Sequence, residues 1–394
     1  MIRVALLGAT GSIGRSTLEV VRRHAEKFRV VALTANRSYD ELARLVDEFK
    51  PELAVVTNGE AWRARGAQVD SAMGTRWSGG EEAVLEAATH PEVDVVVNAI
   101  VGAAGLEPTL AALKAGKRVA LANKESLVAG GPLVRQAAEQ GGGVLVPVDS
   151  EHSAILQCLA GSSVDRVSRL ILTASGGPFR GWSAAEVAEV TPHQALAHPT
   201  WDMGAKISID SATLANKALE VIEAHVLYGL DYDRIEAVVH PQSIVHSFVE
   251  FVDGSVLAQV GNPTMELPIL YALTWPERVA DTALQRYDPV ASSPLTFEPV
   301  DTQAFPLFAL GVEAGRRGGA APAAFNAGNE IAVQAFLEER VSFGQMAAIV
   351  RYAIDAVGDQ PVSSLADLRS ADAVAREAAR DAVERCSTSG DLET

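Results

Sequence analysis

Near the start of the chain stands Leu6-Leu7-Gly8-Ala9-Thr10-Gly11-Ser12-Ile13-Gly14, where an apolar run meets a glycine-rich turn. The predicted strand begins at Arg3, and a helical pattern continues from the turn to about Arg23. Glycines let a backbone approach a pyrophosphate closely, and the free N–H groups at a helix N-terminus bind anions. The Gly-x-x-Gly-x-x-Gly spacing is a variant of the dinucleotide fingerprint, so the stretch predicts a Rossmann-like nucleotide-binding fold.

The residues after the second predicted strand, Arg29 to Thr34, bear on the choice of nucleotide. Enzymes that prefer NAD usually place an acidic residue there, which binds the ribose 2′-hydroxyl. Here the chain reads Ala35-Asn36-Arg37-Ser38, and an arginine suits a 2′-phosphate instead. This favours NADPH as the cofactor, although an arginine in a solvated loop is the simpler alternative.

Alternating strand and helix patterns continue from here to residue 148. Such alternation predicts a doubly wound parallel sheet that binds ligands at the carboxyl ends of its strands. We therefore assign residues 1–148 to an NADPH-binding domain. The predicted strands are Leu53–Val56, Val93–Asn98, Arg118–Leu121 and Val144–Val148, and the predicted helices are Tyr39–Phe49, Glu81–Thr89 and Leu106–Ala115.

Two polar clusters fall at the ends of predicted strands, Asn123-Lys124-Glu125-Ser126 and Asp149-Ser150-Glu151. In an extended chain alternate residues point the same way, so Asp149 and Glu151 would face one ligand. Two adjacent carboxylates repel each other unless a cation or a shared proton relieves them. The alternatives are a loop of turn-forming residues for the first cluster and, for the second, a cap on a helix beginning near Ser153.

A third polar cluster lies in Lys206 to Glu220. Asp210 or Ser211 would cap a helix that runs to about Tyr228 and stops at Gly229. Asn216, Lys217 and Glu220 then share one helix face, because they lie three or four residues apart. A surface Lys–Glu pair is the alternative, but the same turn also carries Asn216. The presence of this further polar cluster shifts the interpretation of Asp149 and Glu151 towards a metal site.

The remaining segments predict a central α+β domain and a helical C-terminal domain. A hairpin turn at Asp253-Gly254 joins two predicted strands, and the long irregular segment 175–204 is typical of a lid. His240 and His246 are interpreted as structural. The expected divisions after the first domain are a catalytic, metal- and substrate-binding domain at 149–280, a linker at 281–306 and a helical domain at 307–394.

Composition limits the class of protein. The chain of 394 residues has 48% hydrophobic and 21% charged residues, which is typical of a soluble globular protein with more than one domain. The net charge of -17 argues against nucleic acid or an anionic membrane as partner. Two cysteines provide neither a disulfide framework nor a zinc pattern. With an apolar strand at its start and no membrane-length apolar run, we expect the chain to be cytoplasmic.

Several motifs recur in one order along most of the chain. They are Gly8-Ala-Thr-Gly-Ser-Ile-Gly14, Asn123-Lys-Glu-Ser126, Asp149-Ser-Glu-His152, Ser175-Gly-Gly-Pro-Phe-Arg180, His198-Pro-Thr-Trp-Asp-Met-Gly204, Lys206-Ile-Ser-Ile-Asp-Ser-Ala-Thr213, Asn216-Lys217, Glu220 and His240-Pro-Gln-Ser-Ile-Val-His246. In these motifs the chain resembles the 1-deoxy-D-xylulose 5-phosphate reductoisomerase family. A small departure is Asn326-Ala327-Gly328-Asn329-Glu330, where the family has alanine at the third position, and Ala174 replaces a common glycine.

The resemblance implies the site residues. It implies one Mg²⁺ or Mn²⁺, with Co²⁺ as a further option, on Asp149, Glu151 and Glu220, and oxygen ligands suit such ions. It implies catalysis by those three residues with Lys124 and His198, in a retro-aldol rearrangement followed by reduction by NADPH, and a homodimer. The implied substrate contacts are Lys124, Ser150, Glu151, Ser175, His198, Trp201, Ser211, Asn216, Lys217 and Glu220. The implied cofactor contacts are Gly8, Thr10, Gly11, Ser12, Ile13, Asn36, Arg37, Asn123, Glu125 and Gly204.

Two other functions remain open on the sequence. A semialdehyde-type NADP-dependent dehydrogenase begins with a similar glycine turn but needs a nucleophilic cysteine. Cys158 lies among apolar residues and Cys386 lies near the tail, and neither has the basic, partly exposed surroundings of a reactive thiol. A non-catalytic NADPH-binding regulator would not need three carboxylates, so loss of activity on chelation separates it from an enzyme.

Overall fold

The computed structural model describes residues 1–65, 74–201 and 203–389. The described residues form two compact units. The first unit comprises Met1–Ser126, Leu133–Ser153 and Thr264–Gln285, and the second comprises Leu127–Pro132, Ala154–Pro263 and Arg286–Thr394. The segment 264–285 thus joins the first unit although the sequence assigned its first part to the catalytic domain. The functional division at residues 148, 280 and 306 stays a prediction.

The strands form two separate sheets. In chain order they are β1 Ile2–Leu7, β2 Phe28–Ala35, β3 Leu53–Val56, β4 Arg76–Gly79, β5 Val95–Asn98, β6 Arg118–Leu121, β7 Val144–Pro147, β8 Val167–Ala174, β9 Ile235–Val239, β10 Val245–Phe251, β11 Val256–Val260 and β12 Glu298–Pro299.

The α-helices alternate with the strands in the first part of the chain and make up most of the described residues after Pro306. They are α1 Ser12–Arg23, α2 Tyr39–Phe49, α3 Gly59–Arg65, α4 Glu81–Thr89, α5 Leu106–Lys114, α6 Lys124–Gly141, α7 Ser150–Cys158, α8 Ala184–Ala188, α9 Pro192–Leu196, α10 Ala205–Ala212, α11 Ala215–Tyr228, α12 Glu266–Thr274, α13 Pro306–Arg317, α14 Ala321–Leu337, α15 Met346–Val357 and α16 Leu365–Ser389. No helix in the described ranges combines the length and apolar content that a membrane span requires.

The first unit is built on a seven-stranded sheet in the order β4-β3-β2-β1-β5-β6-β7, and every pairing in it is parallel. Strands β3 and β5 are buried along their whole length, since helices cover both faces of a parallel sheet. The order reverses between β1 and β5, and a doubly wound sheet binds ligands at such a switch point. The predicted doubly wound domain is therefore confirmed.

The second unit contains a five-stranded mixed sheet in the order β11-β10-β8-β9-β12. Only β8 and β9 run parallel, whereas β10, β11 and β12 pair antiparallel with their neighbours. The predicted hairpin is present, with Gly254 N donating to Phe251 O at 2.9 Å. Helices α13 to α16 bury a core rich in alanine and phenylalanine, which confirms the predicted helical C-terminal region.

Two boundaries differ from the sequence prediction. Helix α7 begins at Ser150 rather than near Ser153, and Asp149 O accepts its first helical hydrogen bond from Ser153 N at 2.8 Å. Glu151 therefore lies in a helical turn, so the extended-chain argument for Asp149 and Glu151 was wrong. The second difference is a break at Leu214, whose φ of 56° is left-handed. Asp210 and Ser211 consequently end α10 instead of capping α11.

Candidate active site

The glycine loop lies between β1 and α1, at the switch point of the first sheet. Gly8 has a φ of +86°, and a Cβ there would lie 2.6 Å from Ala99 O. A Cβ at Gly14 would lie 2.3 Å from Gly8 O, whereas at Gly11 the nearest atom would be 3.5 Å away. Close packing thus requires glycine at two of the three positions. The first turn of α1 carries no acidic residue, so its N-terminus suits a phosphate.

The residues predicted to bind the ribose end follow β2. Asn36 and Arg37 are both exposed immediately beyond Ala35. Arg37 O accepts a hydrogen bond from Tyr39 N at 2.8 Å, and Asn36 O accepts one from Asn58 N at 3.0 Å. The backbone of this turn is therefore held while the arginine side chain remains available to a 2′-phosphate.

Asn123 caps helix α6, because its side chain accepts a hydrogen bond from Ser126 N at 3.1 Å. Its Nδ2 donates to Ile100 O at 2.8 Å and Gly102 O at 2.9 Å, and also to Glu125 Oε2 at 2.9 Å. The cluster is thus a helix start rather than a loop of turn formers. Asn123 holds the segment after β5 against the start of α6, beside the predicted cofactor position.

Lys124 and Asp149 form a buried ion pair at the ends of β6 and β7, with Nζ and Oδ2 2.7 Å apart. Burial alone would raise the pKa of Asp149, but the charges of Lys124 and His152 hold that pKa well below its usual range. His152 Nδ1 lies 4.0 Å from Asp149 Oδ1. Ser150 Oγ donates to Glu151 Oε2 at 2.6 Å. The first unit therefore presents two carboxylates in one turn of chain, and the ammonium of Lys124, from the start of α6, pairs with the first of them.

In the second unit, Ser175 and His198 are in contact through Oγ and Nε2, 3.0 Å apart. His198 Nδ1 accepts from Thr200 N at 3.1 Å and Trp201 N at 2.9 Å. A neutral imidazole that accepts at Nδ1 carries its proton on Nε2 and donates from there. Burial lowers the pKa of His198, which favours this neutral form. His198 can therefore donate to an oxygen at the position that Ser175 Oγ holds.

The segment predicted as a lid contains two short helices that the sequence pattern did not reveal. Both α8 and α9 begin with capping boxes, formed by Ser183 with Glu186 and by Thr191 with Gln194. Its start is anchored by Phe179, which is buried and packs against Phe343. Asp202, which belongs to one of the matched motifs, lies outside the described residues.

Helices α10 and α11 carry the other second-unit site residues. Lys217 and Glu220 form an ion pair, and both are nearly fully buried, so the alternative of a surface pair was wrong. Asn216 Nδ2 donates to Glu220 Oε1. Asn216 and Lys217 occupy the first turn of α11, which contains no acidic residue and suits a phosphate. The three residues share one helix face as predicted.

One contact near Ser211 was not foreseen. A Cβ at Gly177 would lie 2.8 Å from Ser211 O, so the turn after Ser175 packs directly against the end of α10. Gly177 also has a φ of +66° and donates its N–H to Ser175 Oγ at 3.3 Å. The Ser-Gly-Gly sequence was the available signal, because a close backbone approach requires glycine.

The cysteines and His240 have buried positions. Cys158 is buried, as expected from its apolar neighbours, and Cys386 is buried as well, so neither resembles a reactive thiol. His240 is fully buried, with Nδ1 near Thr296 O at 2.9 Å and Nε2 accepting from Ile244 N at 3.1 Å. Both observations argue against roles for these residues in chemistry.

Family models cover most of the chain in three segments. Residues 4–131 match the model described as 1-deoxy-D-xylulose 5-phosphate reductoisomerase, and residues 145–228 match its C-terminal domain. Residues 260–378 match a further model, described as the DXP reductoisomerase C-terminal domain.

Similar proteins of the same description extend over nearly the whole chain. The 1-deoxy-D-xylulose 5-phosphate reductoisomerase of Ralstonia pickettii is 51% identical over 384 residues, covering 96% of each chain. That of Heliobacterium modesticaldum is 51% identical over 382 residues, covering 97% of each.

Two solved structures have closely similar folds. The Zymomonas mobilis reductoisomerase in complex with NADPH has a TM-score of 0.90 at 44% identity, covering 97% of this chain and 99% of its own. A DOX-P reductoisomerase in complex with NADPH, fosmidomycin and magnesium has a TM-score of 0.93 at 40% identity, covering 98% and 100%.

Proposed function

The chain belongs to the 1-deoxy-D-xylulose 5-phosphate reductoisomerase family, and we propose that it performs this reaction with the side chains described above. The enzyme is an NADPH- and divalent-metal-dependent oxidoreductase of isoprenoid biosynthesis. It isomerises and reduces 1-deoxy-D-xylulose 5-phosphate to 2-C-methyl-D-erythritol 4-phosphate by the non-mevalonate route. The observation that carries the assignment of residues is the Lys124–Asp149 ion pair, which follows β6 and β7 of the sheet whose β1 leads into the glycine loop.

The proposed cofactor contacts begin at the glycine loop. The pyrophosphate of NADPH would lie on Gly8, Thr10, Gly11, Ser12 and Ile13, where the close packing at Gly8 requires glycine and the start of α1 offers N–H groups. The 2′-phosphate end would lie on Asn36 and Arg37, and the nicotinamide end on Asn123, Glu125 and Gly204.

The proposed metal ligands are Asp149, Glu151 and Glu220. Three carboxylates are a hard, all-oxygen donor set, which suits Mg²⁺, Mn²⁺ or Co²⁺. Asp149 is held ionised by Lys124, so it is ready to coordinate without first losing a proton. A Glu220 carboxylate that is buried beside Lys217 is likewise compensated by a cation.

The substrate phosphate is proposed to bind in the second unit. Ser175, Ser211, Asn216 and Lys217 supply hydroxyl, amide and ammonium donors. The packing of Gly177 against Ser211 O brings the turn of Ser175 to the end of α10, and the first turn of α11 follows directly. Arrangements of this kind combine a helix N-terminus with side-chain donors and are well suited to a phosphate.

The proposed chemistry divides between cofactors and side chains. NADPH supplies the hydride, and the divalent cation acts as a Lewis acid on adjacent substrate oxygens. Lys124 and Ser150 contact the sugar backbone, where the ammonium stabilises negative charge that develops on an oxygen. His198 donates from Nε2, and Trp201 with the lid 175–204 closes over the substrate and keeps water away.

The test of the function is consumption of NADPH that depends on the substrate. With Mg²⁺ present, absorbance at the nicotinamide band should fall only after 1-deoxy-D-xylulose 5-phosphate is added. A semialdehyde-type dehydrogenase would instead require Cys158, so the Cys158→Ala variant should keep its activity. No NADPH consumption with this substrate would refute the assignment.

Replacing Arg37 by aspartate should change the coenzyme preference. The exposed guanidinium would lose its contact with the 2′-phosphate, and the new carboxylate would accept from the ribose 2′-hydroxyl of NADH. We expect kcat/KM for NADPH to fall by about 100-fold and that for NADH to rise, since hydrogen bonds to charged groups contribute roughly 1.5–3 kcal/mol each. Steady-state rates with both coenzymes measure the change. Equal use of both by the unchanged protein would contradict the assignment of Arg37.

We also propose a cytoplasmic homodimer. Two buried cysteines that are not joined in a disulfide fit a reducing compartment. Strand β11 forms the edge of the second sheet, and its Val256 and Leu257 are each 48% exposed, which is unusual for an unprotected edge. This edge would pair with a second copy of the chain.

The Leu257→Asp variant should therefore be monomeric at concentrations where the unchanged protein is dimeric. A buried charge at the centre of an interface would weaken association by about 100-fold or more. Light scattering after size-exclusion chromatography measures the mass. Val290→Asp is the matched control, because Val290 is an exposed valine of the same unit outside the sheet. Equal masses for all three proteins would exclude this edge as the contact.

A further inference from the structure

A polar contact deep in the second unit links the C-terminal helices to the proposed phosphate site. Asp210 on α10 is 1% exposed and Asn329 on α14 is fully buried. Asn329 Nδ2 donates to Asp210 Oδ1 at 2.7 Å, and Lys206 Nζ lies 2.8 Å from Asp210 Oδ2. Each carboxylate oxygen therefore has its own donor, one neutral and one charged.

The next residue after Asp210 is Ser211, one of the proposed phosphate contacts. Ser211 O is the atom against which Gly177 packs, so any shift of α10 changes the turn that carries Ser175. Thr213 Oγ1 donates to Asp210 O at 3.2 Å and thereby holds the break before α11. The contacts of Asp210 thus hold the end of α10, which lies next to the turn that carries Ser175 and directly before α11.

We propose that Asn329 is a positioning residue for the phosphate end of the substrate. Asn329 holds the carboxylate of Asp210 by a hydrogen bond. Through Asp210 it positions the backbone of Ser211 and the start of α11. This inference rests on the proposed function of the second unit as the phosphate site. It also gives the Asn326–Glu330 motif a role, although the motif lies in the C-terminal helical region and the reaction itself does not use it.

The chemistry of the pair explains why an amide is needed at position 329. Both α10 and α14 contribute side chains to one apolar core, and leucine would fill a volume similar to that of asparagine. Leucine, however, would leave one oxygen of a buried carboxylate without its donor, which is unfavourable. Aspartate would place two carboxylates in contact and would force one of them to take up a proton. Either change would move α10.

The Asn329→Leu variant should raise KM for 1-deoxy-D-xylulose 5-phosphate by about tenfold or more, because one buried hydrogen bond to a charged group is lost. We expect kcat to stay within about threefold, and the NADPH affinity to be unchanged, since neither contact touches the reacting atoms. Calorimetric titration with inorganic phosphate should show the same loss of affinity without any turnover.

The matched control is Asn326→Leu. Asn326 is also buried on α14, but it donates within its own helix, to Glu330 Oε1 at 3.1 Å. It should therefore leave KM and phosphate affinity near the values of the unchanged protein.

The outcomes separate this inference from the proposed function. Equal KM and phosphate affinity in the Asn329→Leu and Asn326→Leu variants would overturn the role of Asn329 while leaving the reaction intact. Absence of substrate-dependent NADPH consumption in the unchanged protein would refute the function, and the phosphate titration would still decide the role of Asn329.

Discussion

Replacing Glu220 by glutamine is expected to lower kcat by about 100- to 1,000-fold, the range seen when a principal electrostatic group is removed from an active site. Glutamine has the shape of glutamate but no charge, so a proposed anionic metal ligand becomes a neutral one. The carboxylate also compensates the buried ammonium of Lys217, with which it is paired. Loss of the charge therefore weakens metal binding and disturbs the proposed phosphate contact together.

NADPH affinity is the internal control for this variant. Glu220 is not one of the proposed cofactor contacts, so the dissociation constant of NADPH should not change. Fluorescence titration with NADPH and thermal unfolding show whether the variant is folded. Near-normal turnover in a folded Glu220→Gln protein would remove this residue from the proposed metal ligands.

Removing divalent cations with EDTA should abolish turnover. Asp149, Glu151 and Glu220 provide three negative charges and only oxygen ligands, so the proposed site suits a hard cation. These carboxylates cannot themselves act as a Lewis acid, so removal of the cation removes that contribution. Lys124 contributes one positive charge, which is already paired with Asp149. We expect the rate to fall to the background of the assay and to return when Mg²⁺, Mn²⁺ or Co²⁺ is added in excess.

The chelation experiment also decides between an enzyme and a non-catalytic regulator. A regulator would bind NADPH equally well with and without the cation and would show no turnover in either state. Calorimetric titration of the metal-free protein with Mn²⁺, followed by the rate assay, connects binding with activity. Full activity after exhaustive chelation would exclude a catalytic cation.

Most of the first unit could be predicted from the sequence, because its signals are local. Helix α2 was expected at Tyr39–Phe49 and begins and ends at those residues, and β3 and β6 also match their predicted bounds. Apolar runs of four or five residues, separated by helical periodicity, suffice for such assignments. The packing of Gly8 and Gly14 confirms why the turn between β1 and α1 needs glycine.

The boundaries at the site were harder to predict, since local patterns favoured more than one geometry. The sequence around Asp149 and Glu151 is compatible with a strand end as well as a helix start. In the structure β7 ends at Pro147 and α7 begins at Ser150, so Glu151 is helical. The break at Leu214 has no glycine or proline to mark it. Leu214 is buried in the apolar core, so packing compensates for its left-handed backbone.

The sequence by itself determined the chemical groups: a glycine turn for phosphates, three carboxylates for a cation, and serine, asparagine and lysine donors for the substrate. Spacing along the chain is enough to place such groups on strand ends and helix turns. Only the tertiary structure decided which partners they have. Asp210 contacts Asn329, which is 119 residues away in the sequence, and segment 264–285 packs in the first unit. Contacts between distant segments depend on tertiary packing, which local sequence patterns do not specify.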